Sequence, residues 1–157
     1  MRRSDREITD IKELREIIDE CKVVRLGIMD INGMYIVPLN YGYEIKDRQL
    51  TMYFHSAHSG RKIDIMRADN KVCFEMDCNH KLVSAEIGCE YGYKYRSIIG
   101  NGIVEFVTDT EEKKTALNHI MKHQTGKEFV FNDDDTETVT IFKVISSSYT
   151  GRRNNNF

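Results

Sequence analysis

Apolar residues recur early in the chain at Ile11, Leu14, Ile17, Ile18 and Cys21. Steps of three and four make one stripe of an amphipathic helix, predicted over residues 9–21. Thr9 or Asp10 can cap it, and Glu13 stands three after Asp10 as in a capping box. The period then shifts to alternation. Residues 23–29 predict a strand, and Asn32-Gly33 predicts a hairpin whose type I′ turn needs positive φ at both central residues. Residues 34–43 are the expected return strand. Pro38, the only proline of the chain, cannot donate to a ladder. It marks an edge, a bulge or a place where something other than a strand lies alongside. After a turn at 46–49, Leu50, Met52 and Phe54 alternate with Thr51, Tyr53 and His55.

A short helix is predicted over 59–67, with Ile63 and Met66 inward, and a strand over 72–77. Residues 95–107 read as one long strand bent at Gly100 and Gly102. A second helix spans 109–123, with Ala116, Leu117, Ile120 and Met121 as its stripe and Gly126 closing it. Residues 137–145, rich in β-branched side chains, form the last strand. The tail 152–157 is polar and expected to fray. About six strands in mostly antiparallel order, with helices between them, predict a mainly β, α+β architecture: a small barrel with helices packed on it.

Length and charge narrow the picture. The 157 residues suit a single domain with a core of its own. Net charge is −2, so no global basic field favours nucleic acid. No run of eighteen apolar residues predicts a membrane span. The polar opening Met1-Arg2-Arg3-Ser4 lacks a signal-peptide core, which places the chain in the cytoplasm by expectation. Cys21, Cys73, Cys78 and Cys89 match no zinc spacing and are expected to be reduced.

The candidate chemistry sits where residues 54–66 change from strand to helix. A helix starting near Ser59 presents unpaired N–H groups and a positive dipole end. Ser56 and Ser59 offer hydroxyls, Gly60 lets an oxyanion approach the backbone, and Arg61 and Lys62 add charge. Cations in a first turn oppose the helix dipole, a conflict that a bound dianion removes. Arginine can hold two phosphate oxygens at once. A solvated Arg-Lys pair is the bland alternative. His55 and His58 are two possible ligands and do not by themselves make a metal site. Without a ligand, His55 is a half-buried strand residue and His58 a solvated loop residue. No serine or cysteine sits in a nucleophile motif. Tyrosines in 35–43 and 91–95 either line a barrel surface and dimer seam or flank a planar ligand.

Several stretches, in order and spacing, resemble a known family. They are the opening from Met1 to Ile8, Tyr35-Ile36-Val37-Pro38-Leu39-Asn40-Tyr41-Gly42-Tyr43, and Tyr53-Phe54-His55-Ser56-Ala57 followed by Gly60-Arg61-Lys62-Ile63-Asp64. Val72-Cys73-Phe74-Glu75 and Tyr95-Arg96-Ser97-Ile98-Ile99-Gly100 complete the set. The chain resembles the nitroimidazole-resistance proteins, a branch of the pyridoxamine-phosphate-oxidase-like, FMN-binding split-barrel superfamily. The resemblance implies a six-stranded antiparallel split β-barrel homodimer with an FMN site at each of two subunit interfaces.

Carried over, the FMN phosphate would sit on Arg61 and Lys62, near Ser56 and Gly60. The ring edge would meet the backbone of Val37, Pro38, Leu39, Phe54 and His55. Tyr95, Arg96 and Ser97 would approach from the other subunit or the adjoining strand. His55 would be the reactive-site histidine. The implied activity is a flavin-dependent oxidoreductase of the nitroimidazole-reductase type. It would act on small, planar, electron-poor nitroaromatic compounds and be reduced by a transient donor, since no GxGxxG fingerprint is present. The alternative is a flavin or haem carrier or sensor without turnover; some relatives of this superfamily hold haem or F420. The chain has no tryptophan and lacks the arginine-bearing C-terminal signature of true pyridoxamine-phosphate oxidases, which argues against that substrate.

Overall fold

The computed structural model describes residues 4–154. Met1-Arg2-Arg3 of the quoted opening and 155–157 of the expected tail lie outside them. In chain order the elements are β1 (Glu7–Ile8), α1 (Ile11–Glu20), β2 (Val23–Asp30), β3 (Gly33–Asn40), β4 (Gly42–Lys46) and β5 (Gln49–Ser56). They continue with α2 (Arg61–Ala68), β6 (Lys71–Val83), β7 (Gly92–Val107), α3 (Thr110–Thr125), α4 (Asp133–Glu137) and β8 (Thr140–Asn154). The strands form one antiparallel sheet in the order β3-β2-β6-β7-β8-β5-β4, with β1 added to β8. This is the mainly β split-barrel class expected, with eight strands among the described residues instead of six.

The extra strands have local causes. β1 is a two-residue pairing of Glu7 with Arg152 and Ile8 with Gly151. The expected return strand 34–43 breaks at Tyr41, which alone separates β3 from β4. Tyr41 is fully buried, and its hydroxyl lies 2.8 Å from the Ile18 carbonyl and 2.9 Å from that of Cys21. That anchorage at the end of α1 turns the chain from one side of the barrel to the other. Gly42 lets it pass under α3: a Cβ there would fall 2.2 Å from the backbone carbonyl carbon of His119.

The core follows the hydrophobic pattern. Leu14, Ile17 and Ile18 of α1 share one buried cluster with Val24, Leu26 and Ile28 of β2 and Leu50, Met52 and Phe54 of β5. Each such side chain stabilises the fold by about 1.5–3 kcal/mol when fully buried. A second cluster lies under α3, where Ala116 and Ile120 cover Tyr53, Val107 and Ile141. No helix among the described residues is long and apolar enough to cross a membrane.

Other details differ from the sequence expectation. Asp10 caps α1 by accepting from the Lys12 N–H, but no capping box forms, because Glu13 turns away to bind Arg153. The β2–β3 turn pairs Asp30 with Gly33, so Ile31-Asn32 are its central residues, and positive φ falls on Gly33 at 112°. The turn with positive φ at both centres is Asp47-Arg48, at 49° and 66°. β8 starts later than expected and runs on to Asn154. Residues 152–154 are therefore sheet and not frayed tail, held by pairing with β7, by the Arg153–Glu13 ion pair and by burial of Asn154. β6 and β7 also run longer than expected. The bend expected at Gly102 is a register shift between Asn101 and Ile103.

Candidate functional site: a cleft between two free strand edges

The barrel is split because two strand edges part company at Tyr41. β3 ends the sheet and pairs with β2 alone. β4 pairs with β5 over residues 49–53, starting from Gly42 opposite Tyr53. Beyond Tyr53, residues 54–56 keep β8 on one side and have no strand on the other. The backbone edge of 37–39 and the backbone edge of 54–56 therefore diverge from a common origin and leave polar groups without ladder partners. Pro38 sits on this edge strand opposite Arg25, where a missing N–H costs no ladder bond on the open side.

α2 closes the cleft. It follows β5 directly, and its first residue, Arg61, reaches the β2–β3 hairpin. The helix begins two residues later than expected, after Gly60 at φ 136°, with no side-chain cap. The Gly60 carbonyl accepts from the N–H groups of Ile63 and Asp64. By helix geometry the N–H groups of Arg61 and Lys62 point forward, out of the first turn. A Cβ on Gly60 would meet no atom within 4 Å, so the approach to these groups is open.

Each sequence candidate can now be placed. Ser56 is buried, and its Oγ has no hydrogen-bond partner among the described residues. Phe54 is buried and stacked on Phe142, so only its backbone can face the cleft. Val37 and Leu39 are half-buried against the core, and Pro38 is exposed. His55 is exposed and not half-buried, because α3 covers Tyr53 and stops short of it. Lys62 is half-buried. Arg61 is partly exposed; its Nε and Nη2 both donate to Asp30 Oδ2, at 2.9 and 2.6 Å, and its guanidinium lies 4.4 Å over the Tyr35 ring. The hydrogen bond from Arg61 holds the Asp30 carboxyl below the usual carboxylate range. Asp30 was not foreseen, because nothing local in sequence links it to a residue 31 positions away.

His58 is an exposed loop residue, as expected, and it has partners as well. Its Nδ1 is 3.2 Å from Thr140 Oγ1 and its Nε2 is 3.0 Å from the Glu137 carbonyl, so it fastens the α4–β8 junction. Tyr95, Arg96 and Ser97 lie far from the His55 side of the cleft within one chain. Ser97 pairs with Arg152, whereas Val107 shares a strand row with Ile141 and His55. Ten residues of β7 separate these rows, about 33 Å of strand. Arg96 points beneath α1, bound to Glu16 and Glu20 at 3.1 and 3.0 Å.

The residues present fit an aromatic cofactor carrying a phosphate ester. The uncapped helix start, the partnerless Ser56 hydroxyl and the open approach at Gly60 suit the phosphate. The two free backbone edges suit the hydrogen-bonding rim of a planar ring.

Comparison with known proteins agrees with this geometry. Residues 10–153 match the family model described as pyridoxamine 5'-phosphate oxidase. A candidate 5-nitroimidazole antibiotic resistance protein from Bacteroides thetaiotaomicron is 36% identical, with a TM-score of 0.81 over 94% of this chain and 86% of that one. Two structures share the fold at low identity. A flavocytochrome from Azotobacter vinelandii is 14% identical, with a TM-score of 0.79 over 99% of this chain and 72% of that one. A FAD and heme binding protein from Mycobacterium smegmatis is 12% identical, with a TM-score of 0.81 over 97% and 75%. No sequence among curated proteins matches the chain. With nearly its whole length matched by the family model and a relative above 30% identity, the chain belongs to the pyridoxamine 5'-phosphate oxidase family.

Proposed function

We propose that the cleft binds FMN and that the protein is a flavin-dependent reductase of small, planar, electron-poor compounds, nitroaromatics among them. One observation carries the reading: two diverging free strand edges end at an uncapped helix start beside a buried hydroxyl without a partner. Lys62, the forward N–H groups of α2 and Ser56 would hold the phosphate, with Arg61 contributing as far as Asp30 releases it. The backbone of 37–39 and of 54–55 would orient the ring. Bound FMN supplies two-electron transfer to a compound stacked on its ring. His55, exposed on the neighbouring edge, would orient that compound or supply a proton to it, imidazole being poised near neutral pH. The likeness to a candidate nitroimidazole resistance protein supports the substrate class.

The reading includes a homodimer. Met29, Met34, Ile36, Ile99 and Ile103 are all more than 40% exposed on the outer face of the β3-β2-β6-β7 strands. A groove of about 880 Å³ crosses that face over Gly27 and Cys73. Exposed apolar area of this kind marks an interaction site, and a second copy of the chain would cover it. Tyr95 and Ser97 of that copy could then approach the His55 side of the cleft, from which they lie far in their own chain.

Two measurements test the proposal. The absorption spectrum of the purified or FMN-reconstituted protein should show perturbed flavin bands; a Soret band would point to haem instead. The bound flavin is then reduced chemically without oxygen and mixed with a nitroimidazole. Two electrons and two protons convert the nitro group to nitroso and water, and reoxidation should outpace that of free reduced FMN. His55→Ala should slow the step and keep the flavin. Reoxidation no faster than in free solution, across several nitroaromatics and quinones, would leave the chain a flavin carrier or sensor.

A further inference from the structure

We propose that the opposite end of the barrel carries a second anion pocket, formed by Lys81, Lys94 and Arg96, that takes a small phosphorylated ligand. A cavity of about 320 Å³ opens there, lined by Glu13, Asn79, Lys81, Lys94, Tyr95 and Arg96. Its position is set by an irregularity. β6 and β7 shift register between Cys78 and Lys81, with Asn79 at φ 60°. The shift brings Lys81 directly opposite Lys94. Side chains so paired stand about 5 Å apart at Cβ, and like charges there destabilise the sheet. Neither lysine has an ion pair or side-chain hydrogen bond among the described residues.

Arg96, two residues along the same strand face, completes the group. Its side chain is only 18% exposed. Its two terminal nitrogens are used on Glu16 and Glu20, while its Nε–H is buried without a partner. The carboxylates that face the pocket are committed: Glu13 to Arg153, Glu16 to Arg96, and Glu20 to Arg96 and Asn79. The pocket lining thus holds three cations, Lys81, Lys94 and Arg96, against one carboxylate, Glu13. A phosphoryl group offers one compact site with three oxygens, which suits two lysine point charges and an arginine N–H better than a carboxylate does. The pocket lies beyond the ten β7 residues that separate Ser97 from the row of His55, so it is distinct from the proposed flavin phosphate site at the α2 start.

The test is a calorimetric titration of inorganic pyrophosphate into FMN-saturated protein, in parallel for wild type, Lys94→Ala, Lys81→Gln and Lys62→Ala. Saturable binding of about one pyrophosphate per chain is expected in wild type and in Lys62→Ala. Lys94→Ala and Lys81→Gln should each weaken it by about 10-fold or more, the loss expected for a charge-assisted hydrogen bond. Lys81 is exposed at the register shift, so its substitution leaves the core untouched. Absence of saturable binding overturns the proposal. So does binding that survives both pocket substitutions, or that disappears in Lys62→Ala, which would assign the pyrophosphate to the α2 start.

Discussion

Arg61 gives two of its nitrogens to a single oxygen of Asp30, so the cation nearest the helix start is already half committed. The β2–β3 hairpin and the α2 start are thereby tied together across the cleft. Arg61→Ala is expected to weaken FMN binding by about 10- to 150-fold, the worth of one charged hydrogen bond. Asp30→Asn should tighten it by freeing the guanidinium. Riboflavin, which has no phosphate, should bind poorly to all three proteins and respond to neither change. Fluorescence titration of both flavins measures this, and equal FMN affinity in wild type and Arg61→Ala removes the clamp.

The apolar outer face predicts the oligomeric state. Sedimentation at micromolar concentration should give twice the 18.3 kDa chain mass, and the unfolding midpoint should rise with protein concentration. Met34→Glu combined with Ile36→Glu should yield monomers and cost flavin affinity together. A wild-type species of 18.3 kDa alone contradicts the dimer.

Gly42 predicts a steric effect. A methyl group at this position would collide with the His119 backbone, and backbone cannot swing aside as a side-chain tip can. Gly42→Ala should destabilise the protein by ~1–3 kcal/mol or more, as overpacking does. Urea unfolding of the variant should show a lowered midpoint, whereas an unchanged midpoint would mean that α3 slides freely on β4.

Two histidines predict the response to acid. Burial, the largest cause for both, holds His119 and His123 below their ordinary value of 6.5. The unfolded chain takes up these protons first, so stability is fully present above pH 6.5 and is lost as the pH falls toward and through the folded-state values. His123 Nε2–H donates to the Cys21 carbonyl, a bond that needs no charge. The urea midpoint should therefore fall between pH 7.5 and pH 5.5, and His123→Gln should shrink that fall. A midpoint that rises on acidification would show the opposite linkage.

The parts legible in the sequence were those fixed by near neighbours. The α1 stripe, the alternation of Leu50, Met52 and Phe54, and the Gly60-Arg61-Lys62 corner depend on spacings of two to four residues. The break at Tyr41 was not legible, because apolar alternation continues through it; only a tertiary fact, its hydroxyl on the α1 carbonyls, makes it a corner. Residues 152–154 looked like tail because charge reads as solvated until a partner such as Glu13 is known. α4 was missed although its capping box, Asn132 with Asp135, is a local signal; its polar body carries no apolar stripe to attract attention. In the site, the backbone stretches 37–39 and 54–55 were named through the resemblance, but the role of Asp30 and the inward lock on Arg96 come from pairings 31 and more residues apart.

The single-residue junction at Tyr41 has a consequence for ligand choice. Two edges that part from one buried, anchored point form a wedge with a fixed apex. A flat molecule bound there would settle where its breadth equals the gap, so depth would become a gauge of size. Narrow rings would sit close to Tyr41 and broad ones nearer the mouth, beside α2. A phosphate tail of set length would then select among rings by whether it could still reach the helix start from the depth at which its ring had stopped.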